Sequence, residues 1–295
     1  MTLASCDSRK TAGENPFFTE WDTPHGVPPF DKILPEHFMP AFERGMSLHE
    51  AEIDAITSNK DEATFENTIL AYDDAGQMLA QTELVFGMLC AAETNDRMQA
   101  LQEQAMPLLA AHRDKIRLDD KLFVRVKEVY DRRAALGLDA EQMHLLQKTY
   151  DSFVRAGALL DAEQKARLKE INGQLSLTAV KFGNNILAEN NNFVLELKSD
   201  ELDGLPAGIR DAAREKAQQM GKGDKWVFTL HKPSLIPLLT YSTRRDLREK
   251  IYKAYLNRCN NGDEYDNKQL INDFIRLRTE KAHLLGYPSY AAYVV

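Results

Sequence analysis

The string closest to a known catalytic motif in this chain is HEAEI, which begins at His49 and Glu50. A zinc-binding helix of the H-E-x-x-H kind sets two imidazoles at i and i+4 on one face, where they hold the metal while the Glu acts on its water. The second imidazole would have to come from position 53, which is Ile53. The string therefore fails as a metal site and reads as the wet edge of an amphipathic helix. The seven histidines stand at positions 25, 37, 49, 112, 144, 231 and 283, and no two are four apart. A ligand pair assembled across helices, or a lone general base, stays open; for each histidine singly a structural role is expected.

Other nucleophile and phosphate motifs are missing. There is no G-x-S-x-G elbow and no Walker loop, and GKGDKW lacks the third glycine of a dinucleotide fingerprint. The densest charge cluster is STRRDLREK, with Arg244, Arg245, Arg248 and Lys250. Arginine forks there could hold a carboxylate by two hydrogen bonds, although Arg245 with Glu249 and Asp246 with Lys250 also have the spacing of ordinary helical ion pairs. Asp73 and Asp74 are adjacent, so on a helix they point about 100° apart and are expected to be solvated. No catalytic, cofactor-binding or metal-binding residue is assigned from residue chemistry alone.

Bulk properties narrow the class. A chain of 295 residues with 43% hydrophobic content can bury a sizeable core, in one large or two ordinary domains. Its 37 basic and 45 acidic residues give a formal charge of −8, spread along the chain, which argues against nucleic acid as a partner. No stretch is long and apolar enough for a transmembrane segment. Three cysteines, Cys6, Cys90 and Cys259, are too scattered for a disulfide framework, and Cys90 and Cys259 are expected to be buried thiols. Leu3–Cys6 reads LASC, the form of a lipobox, but only five residues precede Cys6, so the leader of such a signal is incomplete. Residues 1–14 are expected to be a disordered arm or a lipoprotein tether. The compartment is cytoplasmic as the chain stands, with a periplasmic or outer-membrane lipoprotein as the alternative through Cys6.

The elements that would position any site are mainly helical. Five prolines between Pro16 and Pro35 mark an extended surface segment. Phe38, Phe42, Met46, His49, Ile53 and Ile56 then recur at helical spacing, and Phe65, Ile69, Tyr72, Gly76, Leu79, Glu83, Phe86 and Cys90 predict one helix of about seven turns. Further stripes follow at Met98–Leu108, Phe123–Tyr130 and Met143–Phe153. Capping-box spacing appears at Asp139 with Gln142 and at Asp161 with Gln164. The helix from Asp161 is expected to end near Leu187, in the Asn-rich NNILAENNN. FVLEL (Phe193–Leu197) and WVFTL (Trp226–Leu230) are short strands around a helix opened by Pro206 and closed by GKG. After HKPSLIPLL the pattern is helical again. The expected fold class is mainly α, roughly nine or ten helices with a small two-stranded β patch.

Eight stretches in order carry a family resemblance: NPFF, PPFDKILPEHFMPAFERGM, EIDAI, TFENTILAYDDAG, LGLDAEQMHLL, FVRAGALL, PLLTYSTRRDLREKIYKAY and LRTEKAHLLGYPSYAAYVV. Together, from about Asn15 to Val295, they resemble the front half of bacterial peptidyl-dipeptidases (dipeptidyl carboxypeptidases), relatives of oligopeptidase A and thimet oligopeptidase. FVRAGALL with LGLDAE leans toward the peptidyl-dipeptidases. The resemblance implies that residues 15–295 are the N-terminal helical lobe of a zincin-type oligopeptidase. It also implies short peptide substrates, zinc in the intact enzyme, and a catalytic half that is missing here and would be this chain's partner. No family catalytic or metal residue maps onto a position of this sequence, so no zinc is expected on this chain and no activity from it alone. The competing readings are a free-standing α-helical interaction module and part of an oligopeptidase A-like endopeptidase. On the family reading, the closing GYPSYAAYVV opens a helix whose apolar partners are absent, and it should fray or dock on apolar surface meant for the absent half.

Overall fold

The computed structural model describes residues 14–295, and LASC with Cys6 lies outside them. The described residues are mostly helical, with one small sheet, as the patterning predicts. They divide into two compact units, one of described residues up to Leu177 together with Arg278–Val295, the other of Thr178–Leu277. No helix among the described residues is long and apolar enough to cross a membrane.

In the first unit the proline-rich segment is pinned by specific contacts. Phe17 is buried against Phe38 with ring centroids 5.3 Å apart, the Trp21 indole N–H donates to the Pro16 carbonyl at 2.8 Å, and the Asn15 amide donates to the His37 carbonyl at 2.8 Å. Helix α1 (Phe38–Ser58) follows and serves two clusters. Its first half puts Phe38 and Phe42 against Phe17 and Phe86, and its second half puts Ile53 and Ile56 against Phe65, Ile69, Leu122 and Phe123. His49 lies between them.

The predicted seven-turn helix from Phe65 to Cys90 is interrupted. A π-helical turn (Phe65–Leu70) leads into the short α2 (Ala71–Asp73), and α3 (Gln77–Ala92) starts afresh after Gly76. Gly76 has φ of +77°, a left-handed conformation that side chains resist, and a Cβ there would meet the His49 ring at 2.9 Å. Its N–H donates to Glu52 Oε2 at 2.7 Å. The apolar residues keep helical spacing across the break, so periodicity alone could not reveal it, although Phe65 and Ile69 pack in one cluster and Leu79 and Phe86 in another.

Helices α4 (Asp96–Arg117), α5 (Asp120–Asp131) and α6 (Ala140–Ala156) complete the packing of this unit. The Asp139/Gln142 box forms in both directions, at 2.9 and 3.1 Å, and satisfies two otherwise unpaired donors at the start of α6. The loop before the π turn is organised from α5. Arg125, 8% exposed, donates to the carbonyls of Asn59 (2.9 Å) and Asp61 (3.2 Å), to Asn67 Oδ1 (3.1 Å) and to Thr68 Oγ1 (3.3 Å). Arg132 adds a pair with Glu62 and a bond to the Ala63 carbonyl.

Helix α7 spans Ala162–Asn192 behind the Asp161/Gln164 box, whose bonds are 2.8 and 3.2 Å long. It passes through the asparagines expected to end it. The Asn185 amide donates to Asn267 Oδ1 at 2.8 Å, and Asn190 accepts from Arg258 at 2.9 Å. Partners distant in sequence thus hold side chains that would otherwise compete for backbone groups.

In the second unit β1 (Leu195–Leu197) pairs antiparallel with β2 (Trp226–Phe228), Leu195 opposite Phe228 and Leu197 opposite Trp226. Helix α8 (Ala207–Gln219) begins after Pro206, and Gly221 follows it at φ of +68°. HKPSLIPLL is itself helical: α9 (Lys232–Tyr241) places Pro233 in its first turn, where the missing N–H costs nothing, and also accommodates Pro237. Helix α10 (Arg245–Leu256) buries Leu247 and Ile251 against Leu195, Leu197, Phe228, Leu235 and Leu238.

Helix α11 (Lys268–Leu284) ends with Gly286 at φ of +82°. The Gly286 N–H donates to His283 O at 3.0 Å and the Tyr287 N–H to Ala282 O at 2.8 Å, a Schellman closure. Ser289 then caps α12 (Tyr290–Val294) by accepting from the Ala292 N–H at 3.2 Å. The segment neither frays nor docks on an apolar surface, the two outcomes expected for it; it contacts α6. The Arg155 guanidinium donates to the Tyr293 carbonyl and lies over the Tyr293 ring at 5.3 Å, so the seat is polar and cationic rather than apolar.

Candidate functional site

A cluster of titratable groups in the first unit is built across α1 and α4. On α1, His49 continues the stripe of Phe42 and Met46; on α4, His112 sits three residues after Leu109 and four before Ile116, both buried. The two faces meet, and His112 Nε2 lies 3.0 Å from His49 Nδ1, with ring centroids 5.0 Å apart. The other ring nitrogen of His112, Nδ1, is 3.4 Å from Glu50 Oε1, a separation at which a hydrogen bond is weak, and has no well-formed partner among the described residues. Glu50 Oε2 is held at 2.7 Å by Lys115. A cleft of about 400 Å3, lined in part by Ser47, Leu108 and Lys115, opens on Glu50 and His112.

The electrostatics follow from this packing. Burial pushes both imidazoles below their ordinary value; Glu50 opposes the shift at His112, while the neighbouring His112 adds to it at His49. The Lys115 hydrogen bond holds the Glu50 carboxyl below the usual range. The neutral arrangement that satisfies most groups has His112 carrying its proton on Nδ1 toward Glu50 and accepting at Nε2 from the His49 Nδ1–H. Such a chain can take up and pass a proton. As a zinc site it does not fit: a zinc centre draws on three or four protein donors, and no group of three or more His, Cys, Asp or Glu side chains is so placed among the described residues. Ile53, where the second histidine of the motif would stand, is in the core.

The remaining histidines are not brought together. His37 is buried and its Nδ1 accepts the Leu34 N–H at 3.1 Å; His231 contacts Thr229 Oγ1 at 3.1 Å; His25, His144 and His283 are exposed. Asp73 and Asp74 are solvated, as expected from their spacing. Cys259 is buried and Cys90 half-buried, and burial raises both thiols. In the arginine cluster the pairs differ from those suggested by spacing. Arg244 grips Asp246 through two bonds of 2.9 and 2.8 Å, Glu249 pairs with Lys253 at 2.5 Å, and Arg248 donates to the Ser242 carbonyl. The His49–His112 meeting joins residues 63 apart, and the Arg125 hub spans a similar distance. Neither has a local sequence signal beyond His49's place in an apolar stripe.

The lineage of this chain is read from the sequence as a whole. Residues 238–295 match Peptidase family M3. The dipeptidyl carboxypeptidase of Escherichia coli (strain K12) is 36% identical over 282 residues, which are 95% of this chain and 41% of that protein. The chain is thus similar to M3-type peptidases over nearly all of its length. Other M3-like relatives match over the same region at lower identity. The oligopeptidase A of E. coli (strain K12) is 27% identical over 91% of this chain and 40% of its own length. A thimet-like oligopeptidase of Dictyostelium discoideum is 23% identical over 88% of this chain and 37% of its own length. The chain therefore spans about two fifths of the length of these M3 relatives.

Proposed function

We propose that this chain supplies the N-terminal helical part, residues 15–295, of a zinc peptidyl-dipeptidase that releases dipeptides from the C-termini of short peptides. In this reading it forms a wall of the channel that restricts access to the metal, and the zinc with its catalytic glutamate is held by a further part of the enzyme. The observation that carries the reading is the nearly end-to-end match at 36% identity to a dipeptidyl carboxypeptidase, against 27% to an oligopeptidase A. Support comes also from the second unit, which leaves Leu256, Ile271 and Ile275 45–61% exposed, an apolar surface suited to covering by more protein. No step of hydrolysis is assigned to a residue described here, because none of them forms a set that fits the metal.

The test is a chimera in which this chain replaces the matching two fifths of the E. coli dipeptidyl carboxypeptidase. The expected result is chelator-sensitive release of C-terminal dipeptides from N-blocked peptides by the chimera, and none by the 295-residue chain alone. Release by the chain alone would overturn the assignment of chemistry elsewhere. Internal cleavage by a folded chimera would favour an oligopeptidase A-like specificity instead.

A further inference from the structure

The second unit holds a cationic cleft that neither packing nor the proposed hydrolysis uses. Arg245, Arg248 and Tyr252 recur at i, i+3 and i+7 along α10, so they share one face; with Leu239 of α9 and Glu249 they line a cleft of about 310 Å3. Glu249 is already paired with Lys253, and Arg244 is already paired with Asp246. Arg248 commits one Nη1 to the Ser242 carbonyl, which fixes its guanidinium against the turn between α9 and α10 and leaves its other N–H groups without a partner among the described residues. Arg245 is exposed and makes no hydrogen bond or ion pair among those residues; its charge acts only at longer range, as a minor contribution to the lowered Glu249 carboxyl. Two uncompensated guanidinium groups thus face one space in a protein whose overall charge is −8.

We infer that this cleft binds the terminal carboxylate of a peptide whose last residue is apolar. Two arginine forks one turn apart offer the paired N–H groups that a planar carboxylate accepts. Leu239 and the half-exposed Tyr252 ring give the neighbouring side chain an apolar wall. The volume lies at the lower end for ligand pockets, room for one terminal residue rather than a long segment. That the anion belongs to a peptide rests on the proposed function; that an anion binds here does not.

The experiment uses the 295-residue chain and ligand-detected NMR with N-acetyl-Leu-Leu bearing a free carboxylate, its C-terminal amide, and inorganic phosphate as competitor. The carboxylate form should bind at least ten-fold more tightly than the amide, and Arg245→Gln should weaken it about ten-fold. Arg248→Gln should do the same but also cuts a tie to the α9–α10 turn. Arg245→Gln has no such tie to lose, and Lys250→Gln serves as the control that leaves binding unchanged. Equal binding of acid and amide, no binding of either, or displacement by phosphate at equal concentration would overturn the inference. Binding by the chain together with an inactive chimera would retain the cleft and reject the proposed function.

Discussion

Replacing Arg125 by Met keeps most of the side-chain volume and removes its guanidinium, so the substitution isolates the hydrogen bonds that organise the loop before the π turn. Four bonds leave Arg125 for Asn59 O, Asp61 O, Asn67 Oδ1 and Thr68 Oγ1. Bonds from a charged donor contribute about 1.5 kcal/mol each at the low end, so their sum approaches ~6 kcal/mol. Part of this is recovered, because loop carbonyls can turn to water and Asn67 Oδ1 still accepts from the Thr64 N–H at 2.8 Å. Thr68 is fully buried and cannot be rehydrated in place, although it keeps its 2.8 Å bond to Asn67. The expected net loss is about 3–4 kcal/mol, which lowers the melting temperature of a unit this size by roughly 10 °C. Urea unfolding followed by circular dichroism measures the first quantity and a thermal scan the second. Amide exchange should meanwhile speed up at residues 59–68 more than within α3. Arg125→Lys, with one compact donor group in place of a fork, should recover less than half of the loss. A loss below about 1 kcal/mol for Arg125→Met, or uniform exchange across the unit, would refute the claim that Arg125 holds this loop.

The histidine pair gives a pH dependence. Both folded values lie below the ordinary 6.5, so as pH falls through 6.5 the unfolded chain takes up protons that the folded chain refuses, and stability is lost on the acid side of that value. In His112→Gln the decline below pH 6.5 should be shallower in urea titrations; an unchanged slope would count against burial of the neutral imidazole as its cause. Gly204 stands at φ of +81°, and a Cβ there would lie 2.3 Å from the Tyr241 carbonyl. Gly204→Ala should therefore destabilise the second unit by more than about 2 kcal/mol, read as an earlier urea midpoint. Ser289→Ala removes the cap of α12 and should cost about 1 kcal/mol locally, seen as faster exchange of the Ala292 amide with little change in global melting.

Much of the architecture was legible because its determinants are local. Asp139 with Gln142 and Asp161 with Gln164 form the boxes their spacing predicts, and FVLEL and WVFTL pair as strands. Departures occur where distant residues decide. The break at Gly76 is set by His49 and Glu52 on another helix, the extension of α7 through its asparagines by Asn267 and Arg258, and the helicity of α9 by burial of Leu235 and Leu238. The arginine cluster was visible as composition, but its pairing was not. Spacing permits both Arg245–Glu249 and Lys253–Glu249, and only packing chooses between them.

The proline-rich segment ahead of α1 is held by Phe17, Phe18, Trp21 and Ile33 in the cluster they share with α1 and α3, and by the Asn15 and Trp21 hydrogen bonds. Five prolines between Pro16 and Pro35 add to what these contacts supply. Each restricts the denatured chain as well as the folded one, lowering the entropy lost on folding by about 0.4–1 kcal/mol per residue where the native backbone already suits it. The strap is thus stabilised in part by what it cannot do when unfolded. Replacing its prolines with alanines would loosen it without removing a single hydrogen bond.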